Sequence, residues 1–194
     1  LAESLPHDSC NVIGFGDMGI GNTSSSALLM HKVTGFSLKE CVGRGTGLDD
    51  QGLSRKLDLL QQASKFHKKV RQPLEILSTF GGFEIAMMCG AMLASARRGR
   101  ILLIDGFIAC AAFLLAHELS PSVIDYAVFT HVSGERGHRM LLKNLGVQAL
   151  LDLDMRLGEG TGALVSYPLL ESAVRFLNEM ASFESAGVSG RSDA

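Results

Sequence analysis

ILLIDGF, Ile101–Phe107, decides the fold. Four apolar residues bounded by Asp105-Gly106 read as a buried strand, and Phe107 to Glu118 behind them read as a helix. A strand that turns at once into a helix is the repeating unit of a parallel sheet with helices on its faces. The same alternation recurs outward in both directions. Asn11 to Phe15 (NVIGF), Tyr126 to His131 (YAVFTH) and a short run near Ala149 to Leu153 read as further strands. Helical patterns run from Thr23 to near Gly35, from Asp49 or Asp50 through Phe66, from Pro73, from Phe83 to Arg98, around Met140 to Leu145, and from Ala163 to Ser182. The expected fold is α/β, a three-layer α/β/α arrangement with a mostly parallel, Rossmann-like sheet. It forms one domain over residues 1–183, and the polar stretch 184–194 is expected to be a disordered tail. In such sheets ligands collect at the carboxyl ends of strands, which makes Asp105 a site candidate. As a helix N-cap it would need no function, and both readings stand.

Composition removes several function classes. The 194 residues carry 18 Lys and Arg against 20 Asp and Glu, a formal net charge of -2, which is no nucleic-acid footprint. The basic groups Lys65, Lys68, Lys69 and Arg71, and Arg97, Arg98 and Arg100, fall near helix ends as solvated cations. Cys10, Cys41, Cys89 and Cys110 show no CxxC spacing and read as free, mostly buried thiols in a reducing compartment. The most apolar segment, Ile101 to Leu115, is broken by Asp105 and too short to span a bilayer. With no secretory signal at its start, the chain is expected to be soluble and cytoplasmic. It opens LAESLPHD without an initiator Met, as expected of a fragment or a processed product.

Three glycine-rich turns carry the functional signal. LGEGTGA (Leu157–Ala163) sets one carboxylate, Glu159, among glycines ahead of a helix. GDMGIGNT (Gly16–Thr23) follows a strand, with Thr23 to Ser26 as N-cap chemistry, and VGRGTGLDD (Val42–Asp50) precedes a long helix. Glycine lets backbone approach a ligand closely, and a helix start offers unpaired N–H groups and a positive dipole end. Strand, glycine turn and helix start together hold a phosphate. The first turn matches neither the P-loop nor the dinucleotide fingerprint, which argues against a nucleoside triphosphate. In the second, Arg44 and Thr46 are donors, and Lys56, one turn into the helix, can reach an anion at its start or lie on the surface. Met87, Met88 and Met92 read as core filler. His131 and His138 lack carboxylate or cysteine partners at ligand spacing, so they read as hydrogen-bonded loop histidines and not as metal ligands. On the residues alone, the chain is an enzyme or binder for a phosphorylated small molecule, with a carboxylate at the reacting end.

The runs GDMGIGNT, VGRGTGLDD, GGFEIAMM, LIDGF and RLGEGTGA, in this order, resemble the signature blocks of the nicotinate-nucleotide:dimethylbenzimidazole phosphoribosyltransferase family. The resemblance runs from Asn11 to Phe183 and corresponds to the carboxyl-terminal half of family members. It implies transfer of the phosphoribosyl group of nicotinate mononucleotide to 5,6-dimethylbenzimidazole, in assembly of the cobalamin nucleotide loop. It also implies small-molecule partners only, no cofactor or metal, and a homodimer.

By resemblance Glu159 is the general base that takes the benzimidazole proton, its pKa raised if the pocket around it is apolar. Asp17 stands at a family glutamate position and is one methylene shorter. Gly19, Ile20, Gly21 and Asn22, with Gly43, Arg44, Gly45 and Lys56, resemble the nucleotide and phosphate contacts, and Thr23 and Thr46 are substrate-binding candidates beside them. Asp105, Gly158, Gly160 and Thr161 complete the candidate substrate-binding set, together with Ser133 and Gly134 of HVSGERGH. That last run resembles a family HxSAEPGH loop, with Gly134 and Arg136 replacing alanine and proline. A non-catalytic nucleotide-binding fragment or paralogue is the alternative.

Overall fold

A computed structural model describes residues 10–45, 47–183 and 185–187. The expectations for the tail at 184 and 188–194, and for Thr46, fall outside the described residues. The element order is β1 (Val12–Phe15), α1 (Asn22–Thr34), α2 (Leu38–Cys41), α3 (Asp50–Phe66), α4 (Pro73–Phe80), α5 (Phe83–Arg97), β2 (Ile101–Ile104) and α6 (Phe107–Leu119). A 3-10 helix, Pro121–Tyr126, precedes β3 (Ala127–Phe129), β4 (His131–Ser133), α7 (His138–Leu145), β5 (Leu151–Met155) and α8 (Thr161–Glu179).

All strand pairs are parallel, as expected. They form two sheets instead of one: β1, β2 and β3 in that order, and β4 with β5. YAVFTH, read as a single strand, breaks at Thr130. That residue still bonds both sides: its N–H donates to Ile104 O at 3.0 Å and its carbonyl accepts the Leu151 N–H at 3.0 Å.

Strand alternation divides the first sheet into two faces. Register pairs Ile13 with Leu102 and Phe15 with Ile104, then Ile104 with Phe129, and these residues join the main apolar core. The opposite face carries Gly14, Leu103 and Val128 in one row. There a Cβ at Gly14 would stand 2.9 Å from Ala163 Cβ, so absence of a side chain lets α8 lie on the sheet. Helices therefore cover both faces. On the core side the central helix is α6, whose FIACAAFLLAHEL is apolar nearly all round and buried from Ala109 to Ala116. It packs against α1, α4, α5 and α7.

Helix ends follow local chemistry at most points. Asp49 caps α3 by accepting the Gly52 N–H at 2.7 Å, Pro73 opens α4, and left-handed Gly35 and Gly146 close α1 and α7. At α1 the expectation of a Thr-Ser cap is overturned. The cap is Gly21 at φ 90, with no side-chain bond, and the helix begins at Asn22.

Arg100 also departs from expectation: it is buried, and its Nε donates to Cys10 O at 3.0 Å. Met92 is core as expected, while Met87 is exposed. The cysteines are free, with Cys41, Cys89 and Cys110 buried. Burial pushes the Cys41 thiol up to about 12 and Cys89 to about 11. No helix among the described residues is long and apolar enough to cross a membrane.

Candidate active site

The site gathers at the carboxyl ends of β1, β2, β4 and β5, the edge at which an α/β sheet presents its loops. Gly16 and Asp17 leave β1, Asp105 leaves β2, the 134–137 loop leaves β4, and the third glycine turn follows β5. Contacts link these segments into a ring.

The first and third turns touch directly. Glu159 N–H donates to Asp17 O at 3.1 Å. A side chain on Gly16 would collide with the backbone of Gly160, so only glycine permits this approach. The third turn itself is a run of left-handed residues: Gly158 at φ 74, Glu159 at φ 59 and Gly160 at φ 79. For Glu159, which has a Cβ, this conformation costs about 1–2 kcal/mol. Asp105 holds the strained run, its Oδ2 accepting the Gly160 N–H at 3.1 Å and its Oδ1 the Gly162 N–H at 2.8 Å. Thr161 Oγ1 donates to Gly158 O at 2.6 Å and closes the turn.

Both open readings of Asp105 are thereby corrected. It does not cap its own helix, whose N-cap is Gly106, and at 2 % exposure it offers no surface to a ligand. It caps α8, more than fifty residues away. His131 packs beside it, Nδ1 lying 3.6 Å from Asp105 Oδ1 and 3.1 Å from Thr130 Oγ1. Burial lowers the His131 pKa, and the Asp105 charge opposes this.

In the first turn, Asn22 Nδ2 donates to Asp17 Oδ2, and Gly19 lies against this pair. Asp17 is half-buried. Burial first, then the charge of Glu84 at the start of α5, raises its carboxyl above the usual range, against the pull of Asn22. The surrounding surface is apolar and uncovered: Met18 is 82 % exposed, Ile20 93 % and Phe83 92 %.

The second turn joins through Lys56, whose Nζ donates to Thr23 Oγ1 at 2.9 Å and to Gly43 O at 3.2 Å. The surface reading of Lys56 is thus replaced by a half-buried cation between two turns, its pKa lowered by burial and supported by Glu135. Arg44 departs from its expected role. Its guanidinium donates to Leu48 O at 2.8 Å and to Asp50, folding onto its own segment.

Ser133 ends β4 and Gly134 opens the loop after it. Gly134 N–H donates to Met155 O at 3.1 Å, and a Cβ there would lie 2.9 Å from Arg156 Nε. Ser133 N–H donates to His138 Nδ1 at 2.9 Å, with the Ser133 hydroxyl equally close. The His138 proton therefore sits on Nε2, 3.0 Å from Cys110 Sγ. His138 is fully buried, and its pKa is pushed down to about 3 by burial, with smaller contributions from His131 and Arg139.

Sequence reasoning missed two acids. Glu84 faces Asp17. Glu135, in the middle of Ser133-Gly134-Glu135-Arg136-Gly137, lies against Gly43, with Lys56 and the Gly45 N–H acting on its carboxyl. The signal was present, since an acid set among glycines is the pattern that singled out Glu159. No wall covers Glu159 among the described residues. Glu159 is exposed, with Leu157 beside it 68 % exposed.

The fold and the turns define an α/β protein with an acid pole and a cationic pole at one edge of its sheets. The chain belongs to the phosphoribosyltransferase family whose model matches residues 1–188. It is 58% identical over 191 residues to the nicotinate-nucleotide–dimethylbenzimidazole phosphoribosyltransferase of Cupriavidus necator, covering 97% of this chain and 55% of that one. Its identity to the enzyme of the same name from Dechloromonas aromatica is 57%, over 98% of this chain and 56% of the relative. The crystal structure of CobT from Thermus thermophilus superposes with a TM-score of 0.92 at 40% identity, covering 98% of this chain and 57% of that chain. The chain spans about half the length of the relatives it matches.

Proposed function

We propose that this chain carries the general base and the phosphate grip of a nicotinate-nucleotide–dimethylbenzimidazole phosphoribosyltransferase. The reaction forms a bond from a benzimidazole nitrogen to C1′ of nicotinate mononucleotide and breaks the bond from C1′ to the pyridine nitrogen. Nicotinate leaves, and alpha-ribazole 5′-phosphate remains. The azole N–H proton must depart as the new bond forms, and Glu159 receives it. Asp17, with Glu84 behind it, places negative charge beside a glycosyl centre that becomes oxocarbenium-like. Lys56, with Thr23 and the glycine-turn amides, takes the 5′-phosphate. Asp105 acts from beneath by fixing the turn that carries Glu159. Positioning and electrostatics suffice for this displacement, so the reading calls for no cofactor.

One observation carries the reading: a glutamate held in a strained left-handed backbone, hydrogen-bonded to the turn that bears Asp17, in a ring whose other side holds a half-buried lysine. Strain of this kind clusters at functional sites. The wall over Glu159 comes, in this reading, from the length of the relatives that this chain does not span. A homodimer in the cytoplasm is the proposed state, with the bare apolar surface of α8, including Phe176 and Leu177, available for packing.

The exposure of Glu159 favours the alternative of a nucleotide-binding piece without transfer activity. A single-turnover assay with nicotinate mononucleotide and dimethylbenzimidazole decides between them. Glu159→Gln is expected to slow nicotinate release about 100-fold or more. Equal rates in both proteins would remove Glu159 as the base, and nucleotide binding with no release from either would establish the alternative.

A further inference from the structure

Glu135 belongs to neither pole of the proposed reaction, yet it is built into the ring at its least expected point. It leaves β4 in a loop pressed on one side by Arg156, and its carboxyl lies on the other side flush against Gly43. A Cβ at Gly43 would overlap Glu135 Oε2, so the second turn is glycine at this position to receive that carboxyl. Oε2 is buried and has no hydrogen-bond partner among the described residues. The Gly45 N–H, Lys56 and Arg156 lie near enough to favour its charged form, against burial. Gly43 is also the residue whose carbonyl accepts from Lys56 Nζ. One side chain thus touches the turn on both sides of Arg44 and borders the lysine that the turn holds.

We propose that Glu135 is a positioning residue: by bracing Gly43 and Gly45 it fixes the carbonyl that aims Lys56, and so sets the affinity for the phosphate end of the nucleotide without touching it. The brace works by shape, the carboxyl filling the space that a side chain at Gly43 would take. A half-buried carboxyl is costly to keep charged, and the positive charge of Lys56 and Arg156 offsets part of that cost. Lys56 spends two of its three donors on Thr23 and Gly43, which leaves one for a phosphate oxygen. A turn that drifted would release the lysine to solvent and lose that aim. The proposal rests on the reading of Lys56 as the phosphate ligand, and the test separates the two.

The dissociation constant for nicotinate mononucleotide is measured by calorimetry on the intact protein, with inorganic phosphate as competitor and dimethylbenzimidazole as a control ligand. Lys56→Ala is the reference for the reading itself and is expected to weaken nucleotide binding at least tenfold. Glu135→Ala is expected to weaken it about tenfold, to leave dimethylbenzimidazole binding unchanged, and to alter kcat at saturation by less than threefold. Glu135→Gln, which keeps the shape and an acceptor, restores affinity to within threefold. Gly43→Ala displaces the carboxyl while keeping its charge, and weakens nucleotide binding in the same way even if Glu135→Ala does not fold.

Nucleotide binding lost in Lys56→Ala but intact in Glu135→Ala or in Gly43→Ala overturns the proposal and leaves the phosphate reading standing. Loss of both ligands alike in Glu135→Ala and Glu135→Gln assigns Glu135 a merely structural role and also overturns it. Unchanged binding in Lys56→Ala sinks the phosphate reading, and this proposal with it.

Discussion

Asp105 Oδ1 accepts the N–H of Gly162 at 2.8 Å, joining the end of β2 to the first turn of α8 across more than fifty residues of chain. Its second oxygen takes Gly160 N–H. An asparagine can accept only one of these donors and would aim its own amide hydrogens at the other. Asp105→Asn is therefore expected to cost about 2 kcal/mol of stability, the range for a buried bond to a charged group. Chemical denaturation checks this. The same variant should lower the rate of nicotinate release more than it raises the KM for nucleotide, because the turn it loosens carries Glu159.

Glycine suits the backbone of residue 159 better than glutamate does. Glu159→Gly is expected to raise stability by about 1 kcal/mol through relief of the left-handed strain, while abolishing transfer. A melting curve and the single-turnover assay test the two halves of this statement separately. A variant less stable than the parent would show that the glutamate side chain contributes to the fold.

Gly162 has no room to grow. A methyl there would fall on His131 Nδ1, Asp105 Oδ1 and Thr130 Oγ1 at once. These are buried and hydrogen-bonded, so none swings aside freely. Gly162→Ala is expected to destabilise by about 1–3 kcal/mol, read as a drop in the melting midpoint. Gly146→Ala, at φ 72 with open space around it, pays only the backbone term and serves as the comparison.

The histidine pair makes stability depend on pH. The pKa of His138 lies near 3 in the folded protein, against 6.5 for an unperturbed histidine, and that of His131 is lowered too. The unfolded chain thus binds protons that the native state refuses. Its contribution is fully present above pH 6.5 and is lost progressively as pH falls toward 3. Denaturant midpoints measured between about pH 7 and 4 should fall, and the slope should flatten in His138→Gln, which has no proton to take up.

Legibility in the sequence followed the range of the interactions. ILLI was readable to the residue because a short apolar run between turn residues has one reading, and the caps at Asp49, Pro73 and Gly146 are equally local. YAVFTH failed at Thr130 because nothing in six residues reveals that one ladder hands over to another. The Thr23 to Ser26 cap failed because left-handed Gly21 starts the helix at Asn22, which puts those residues inside it. Asp105 and Glu135 act on partners far along the chain, Gly160, Gly162, Gly43 and Gly45, and no spacing rule reaches that far. Lys56 was placed in the right neighbourhood, but its burial between two turns comes from packing. The family blocks supplied the functional reading of Glu159. They directed attention to Ser133 and Gly134 in the fourth loop and away from the acid between the glycines.

Thr130 has a mechanical consequence beyond its place in the topology. Because its amide bonds one sheet and its carbonyl the other, the carboxylate under α8 and the turn that follows β5 are mounted on a continuous frame. On the lysine side of the ring, Val42 N–H donates to Leu38 O and Lys56 ties Gly43 to Thr23, so the second turn is braced as well. The acid is the anvil of this site, and the cation is clamped in its own turn.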